Sequence, residues 1–168
     1  EQQSNPQPGI VHKYHNRLLI VSTSSCAIHC RYCFRRHFDY QSNRHSEQQW
    51  QTNLEYIQAN PAINEVIFSG GDPLTQSNKS IHKQLSDLAQ LHQIKHIRFH
   101  TRLPVVLPSR LDTSLLTSLQ ACTKKIVFVI HSNHSQELDN EVAHACQKLQ
   151  QHGVTLLNQS VLLKGIND

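Results

Sequence analysis

Cys26, Cys30 and Cys33 fall within eight residues, in the stretch SSCAIHCRYCFRRH that runs from Ser24 to His37, and a basic cluster follows them at once. Five cysteines is an odd number and three of them share one loop, which favours metal ligation over a disulfide framework. A closed zinc site wants four ligands, normally as two pairs; this chain offers one tight triplet, with His29 or His37 as a possible fourth donor. An iron–sulfur cubane fits the count better, because three thiolates on four irons leave one iron open to an outside ligand. Cys122 and Cys146 stand apart on predicted helices and read as small apolar packing groups.

The elements that must position this loop alternate along the chain. A polar leader runs to about Gly9, with a core domain expected over residues 11–168. RLLIVST (Arg17 to Thr23) is an apolar, partly β-branched run that reads as a strand, and the cysteines follow it directly. Ser46 to Asn60 carries Trp50, Leu54 and Ile57 at helical spacing, with Ser46 and Gln49 as a capping box and Pro61 as the stop. Then come a strand at Glu65 to Ser69, a helix over Ser77 to His92 with Ile81, Leu85 and Leu88 on one face, and a strand KHIRFHT. A short helix over Thr113 to Ala121 precedes the almost continuous apolar strand KIVFVIH, which is the pattern of a parallel strand covered on both faces. A helix from Ser135 to Gln151, with Leu138, Val142, Ala145 and Leu149 inward, ends at Gly153 before a fifth strand in VTLLNQS.

Five strands alternating with helices predict an α/β fold with parallel strands and right-handed crossovers; a barrel and an open sheet both satisfy this pattern. In either, loops after the strand C-termini build the active site. Here those loops are SSCAIHCRYC, GGDP, HTR, HSNH and NQS, which hold nearly all the unusual polar residues.

Composition bounds the rest. The chain has 168 residues, 38% hydrophobic and 17% charged, enough for one ordinary domain. Sixteen basic and twelve acidic residues give a formal charge of +4, which permits anionic partners without requiring nucleic acid. No apolar run approaches the roughly 20 residues of a membrane span, and EQQSNPQPGI has no signal-peptide core, so a cytoplasmic protein without membrane partners is expected. The absence of methionine and the ending LLKGIND lead to the expectation of an internal segment of a longer protein, incomplete at the C-terminus.

A Cx3Cx2C triplet directly after a strand, at the head of a βα series, resembles the radical S-adenosylmethionine superfamily. CRYCFRRHF, FSGGDPL, HTRLPVVLPSR and NQSVLLKGIND together are similar to the lysine 2,3-aminomutase family, from about Val11 to Asp168. Phe34, in CFRRHF, is similar to the branch that makes β-lysine for modifying elongation factor P. The resemblance implies a partial (β/α)6 TIM-like barrel with about five βα units. It also implies an isomerase that converts L-α-lysine to β-lysine through a 5′-deoxyadenosyl radical and a pyridoxal phosphate imine, with an electron donor such as flavodoxin or ferredoxin as partner.

Residue by residue, the resemblance makes Cys26, Cys30 and Cys33 the ligands of a [4Fe-4S] cluster. It places Tyr32, Gly70, Gly71, Asp72 and His131 around S-adenosylmethionine, and Lys13, Tyr14, Arg17 and Gln159 around the phosphate of pyridoxal 5′-phosphate. Arg35 becomes the partner of the substrate carboxylate, a task suited to the guanidinium fork, and Arg36 and His37 are solvated or structural neighbours. The lysine that carries pyridoxal phosphate, and two carboxylates for the substrate ammonium, are expected downstream of Asp168; Lys164 is no substitute. Two alternatives compete with this reading: a radical enzyme acting on RNA, and a zinc-stabilised interaction domain.

Overall fold

In the computed structural model, residues 5–33, 35–37 and 46–168 are described. Phe34, on which the branch resemblance turns, lies outside the described residues. The strands β1 (Ile10–Tyr14), β2 (Arg17–Thr23), β3 (Glu65–Gly70), β4 (His96–Thr101), β5 (Lys125–Ile130) and β6 (Thr155–Asn158) form one sheet in that order. From β2 to β6 every pairing is parallel, and β1 pairs antiparallel with β2 through a tight turn at His15 and Asn16. The predicted strands are all present. Strand β1 is additional: its IVHKY sequence carries no clean alternation, and it forms because Ile10 is drawn into the core while Val21 donates its amide to Gly9 (2.8 Å).

Between the strands lie α1 (Glu47–Ala59), α2 (Asn78–Ala89), α3 (Leu103–Val106), α4 (Thr113–Ala121) and α5 (Asn140–Gln151). Each long helix opens on a side-chain cap: Ser46, Ser77, Asp112 and Asp139 each accept a backbone N–H from the first turn. The expected capping box at α1 is half made. Ser46 accepts from Gln49 N, but the Gln49 amide donates instead to Pro8 O (2.9 Å) and Asn53 Oδ1 (3.1 Å), docking the end of the leader on the helix.

A second expectation is corrected at α5. The helix expected from Ser135 is broken into a short 3-10 turn over Ser135–Glu137 and an α-helix that starts only after the Asp139 cap. Leu138, placed inward by helical periodicity, is 51% exposed as a result. The break turns Glu137 toward the ends of the strands.

The two faces of the sheet differ in kind. Ile20, Phe68, Phe99 and Phe128 lie in register across β2–β5, all fully buried, and the three phenylalanine rings sit at 5.0 and 5.1 Å centroid separation. They share one core with Trp50, Leu54, Ile57, Ile81, Leu85, Leu115, Leu119 and Leu149 from α1, α2, α4 and α5. All the crossover helices therefore cover the same face. A sequential strand order with helices on one side is the wrapping of a barrel; a doubly wound sheet would reverse its order at a switch point. The opposite face carries Arg17, Glu65 and Arg98 near the strand N-termini, where Glu65 takes Arg98 at 2.5 Å and Arg17 at 3.5 Å. Ser69 and His100 lie toward the other end of this face, with His131 following β5. Among the described residues no helix is long and apolar enough to cross a membrane.

Candidate active site

The cysteine loop begins as a continuation of the β2–β3 ladder. Gly71 donates its amide to Thr23 O and Asp72 donates to Ser25 O, both at 2.7 Å, while the Ser22 hydroxyl donates to Ser69 O at 2.9 Å. Glycine is required twice in this turn. Gly70 has φ +114, a left-handed conformation that side chains disfavour, and a Cβ on Gly71 would meet Ser25 O at 2.3 Å. The chain can thus lay the glycine turn against the root of the cysteine loop only because both side chains are absent.

Asp72 secures the same corner. Its Oδ1 accepts from Leu74 N (3.0 Å) and the Thr101 hydroxyl (2.6 Å), and its Oδ2 accepts from Arg102 N (2.7 Å) and Leu103 N (3.1 Å). Two carboxylate oxygens have about four acceptor positions, and all are filled. Asp72 lines the cavity, yet its carboxylate acts as a staple between the β3 and β4 ends and has no lone pair left for a ligand.

Cys26, Cys30 and Cys33 open onto a common cavity with Gly70, Gly71, Arg35, His131 and Gln159. The expected ligands and most expected cofactor contacts thereby converge from four strand ends. Partial desolvation, then Asp72 and the two neighbouring thiols, push the Cys26 thiol above its ordinary range. Among the described residues the thiols are not drawn into a preformed metal triad. What fits a cluster is the donor set itself: three thiols from one loop facing one cavity, with a guanidinium directed at one sulfur. That guanidinium belongs to Arg102, whose Nη1 donates to Cys30 Sγ at 3.1 Å and whose Nη2 donates to Glu137 at 2.8 Å.

Arg35 is held by Ser69, donating from Nη1 to its hydroxyl at 2.6 Å and reaching Gly70 O at 3.5 Å, so its guanidinium is anchored at the cavity wall. Arg36 turns back on its own loop, donating to the carbonyls of Cys33 and Arg31, and His37 is exposed. Tyr32 accepts from Asn133 Nδ2 at 2.5 Å and lies under the Arg102 guanidinium, 5.4 Å from ring centroid to Cζ.

His131 and His100 meet edge to face at 6.1 Å, and both Nε2 atoms are buried without a partner among the described residues. Burial, with the neighbouring His131, Arg98 and Arg35 in support, pushes His100 down to about 4. Burial also lowers His131, opposed by Asp72 and reinforced by Arg102 and Arg35. Both shifts favour the neutral ring over the charged one.

The four residues expected around a phosphate are not brought together. Gln159 lines the cavity, its amide donating to Ile130 O at 2.9 Å. Lys13, Tyr14 and Arg17 gather instead at the β1–β2 turn, at the N-terminal end of β2, with both cations stacked near the Tyr14 ring and Arg17 engaged by Glu65. Sequence reasoning did not single out Ser69, His100, Arg102, Asn133 or Glu137. The only signal was that HTR holds His100 and Arg102 and HSNH holds Asn133 at strand ends; Ser69 read as part of a strand and Glu137 as part of a helix, and most of their partners lie far away in the chain.

Residues 20–168 match the family model of the Radical SAM superfamily. The chain belongs to the radical SAM superfamily. Among curated relatives, L-lysine 2,3-aminomutase of Escherichia coli (strain K12) is 46% identical over 168 residues, covering 100% of this chain and 49% of that protein. The Haemophilus influenzae protein of the same name is 48% identical over 168 residues, covering 100% of this chain and 50% of its own length. That of Clostridium subterminale is 36% identical over 169 residues, covering 100% and 40%. The chain spans about half the length of the first two relatives. A solved structure described as native anSMEcpe with bound AdoMet and Kp18Cys peptide aligns at a TM-score of 0.62 and 14% identity, over 85% of this chain and 42% of that one. At that identity the likeness supports the radical SAM fold alone, and it agrees with the partial barrel.

Proposed function

We propose that this chain is the radical-generating part of an isomerase that converts L-α-lysine to β-lysine, holding a [4Fe-4S] cluster on Cys26, Cys30 and Cys33. The carrying observation is the convergence of those three thiols with the Gly70–Gly71 turn on one cavity, in a chain 46% and 48% identical over its whole length to two L-lysine 2,3-aminomutases. When bound, the cluster and S-adenosylmethionine supply one-electron cleavage of a sulfonium and hydrogen-atom abstraction, and pyridoxal phosphate supplies a carrier for the migrating amine.

The chain's own residues do the rest. Three cysteines leave one cluster position open, and Gly70 and Gly71 clear room for the methionine end of S-adenosylmethionine to approach backbone. His131 offers a neutral ring nitrogen to the same ligand, and Tyr32 borders the adenine region with its backbone. Arg35, fixed by Ser69, pairs with the substrate carboxylate. Gln159 is the member of the expected phosphate set that this geometry supports; Lys13, Tyr14 and Arg17 enter only as a second, distant group. Flavodoxin or ferredoxin as reductant, and elongation factor P as destination of the product, belong to the same reading. The elongation factor P link rests on the resemblance around Phe34.

The test is anaerobic reconstitution of the full-length protein. Iron and sulfide at four of each per chain, S-adenosylmethionine cleaved after dithionite, and β-lysine formed from lysine are the expected results. Substituting any one of Cys26, Cys30 or Cys33 by alanine abolishes all three. An intact cluster without cleavage, or one zinc without iron or sulfide, overturns the proposal.

A further inference from the structure

The contacts of Arg102 reach beyond those roles. It sits just after β4, its backbone N–H bound by Asp72, and its guanidinium bridges two loops: Nη1 to Cys30 Sγ at 3.1 Å, Nη2 to Glu137 Oε2 at 2.8 Å. Glu137 is fixed in turn, because its other oxygen accepts Asn133 N at 3.2 Å. Asn133 donates to the Tyr32 hydroxyl and accepts Val161 N at 2.8 Å. The arginine is thus held on both sides, by a stapled backbone and a carboxylate, before it meets sulfur. A surface arginine would have many rotamers; here its side chain is 18% exposed.

We infer that Arg102, held by Glu137, is a positioning residue that fixes the Cys30 sulfur and tunes the reduction potential of the cluster through a charge-assisted N–H to sulfur bond. The inference rests on the cluster reading above. Hydrogen bonds to cluster sulfurs and nearby positive charge both stabilise the reduced form, since reduction adds negative charge. A cation fixed against one ligand therefore makes the cluster easier to reduce. The N–H groups donate and the sulfur accepts, so lysine keeps the charge but loses the planar fork that serves Cys30 and Glu137 together.

The test is a redox titration, followed by electron paramagnetic resonance, of the full-length reconstituted protein and its R102K and R102Q variants, with iron and sulfide counted in each. The expected result is a midpoint that moves to more negative potential in R102K and further in R102Q. If the unsubstituted protein takes up no four-iron cluster, the reading of the cysteine loop fails, and the inference with it. If R102Q holds a full cluster at an unmoved midpoint, the inference about Arg102 alone fails. Should R102Q not fold, R102K decides: a full cluster at a lower midpoint supports the inference, and an unmoved midpoint overturns it.

Discussion

Asp72 serves the candidate site through the frame its carboxylate holds together. With four donors on two oxygens, Asp72→Asn would turn an amide N–H toward backbone N–H groups that lose their acceptor, and leaving buried donors unpaired costs about 3 kcal/mol. Urea unfolding of D72N is expected to show that loss, with Asp72→Glu no better because the longer arm misplaces both oxygens. Gly71→Ala is expected to fold yet fail to take up iron, since its methyl group collides with the Ser25 carbonyl at the root of the cysteine loop; iron analysis after reconstitution checks this. His100 makes a pH prediction. Its pKa lies near 4 in the fold against an ordinary 6.5, so between these values the unfolded chain binds the extra proton. Stability from this group is complete above pH 6.5 and is lost as pH falls toward 4, by on the order of 3 kcal/mol. His131 acts in the same direction. Unfolding midpoints measured across this window should fall, and H100Q should flatten the slope.

At the scale of elements, the layer Phe68–Phe99–Phe128 joins the sheet to its helices. Phe99 lies between the other two and is fully buried. Removing it leaves a cavity lined by rings from neighbouring strands that cannot close around it, so Phe99→Ala should cost about 4 kcal/mol in urea unfolding, whereas Phe99→Leu should cost less. The break before α5 has a local cause and a distant effect. Asp139 caps the helix, so the preceding residues cannot continue it, and the 3-10 turn they form brings Glu137 to Arg102. Periodicity placed Leu138 inward because it assumed one uninterrupted helix, and a cap by an aspartate three residues before Val142 was the signal that a shorter helix begins there.

At the scale of the molecule, the strands differ in how deeply they are held. β5 is buried over five of its six residues, while β6 is exposed over three of four. Exchange of backbone amides for deuterium should be slowest in β2, β3, β4 and β5, where both neighbours are strands, and faster in β6, with the cysteine loop exchanging fastest. Uniform protection across β2–β6 would contradict this ordering. The arrangement also separates duties along the strands: Glu65 with Arg17 and Arg98 braces one end of the inner face, and the polar residues of the site gather at the other.

The alternation of apolar runs with helical stripes settled the class of fold, because burial against a helix-covered sheet leaves a local signature in each segment. Cys26, Cys30 and Cys33 were legible for the same reason, being close in the chain and of one reactive type. Gly70 and Gly71 could be seen as a turn, though only the Ser25 carbonyl explains why neither tolerates a side chain. A barrel's wrapping, the added strand β1, the saturated carboxylate of Asp72, the paired rings of His100 and His131 and the Arg102–Glu137 bridge were decided by tertiary structure alone. Each joins residues distant in the chain, and a contact between distant segments depends on where the whole sheet carries them rather than on any pattern within a segment.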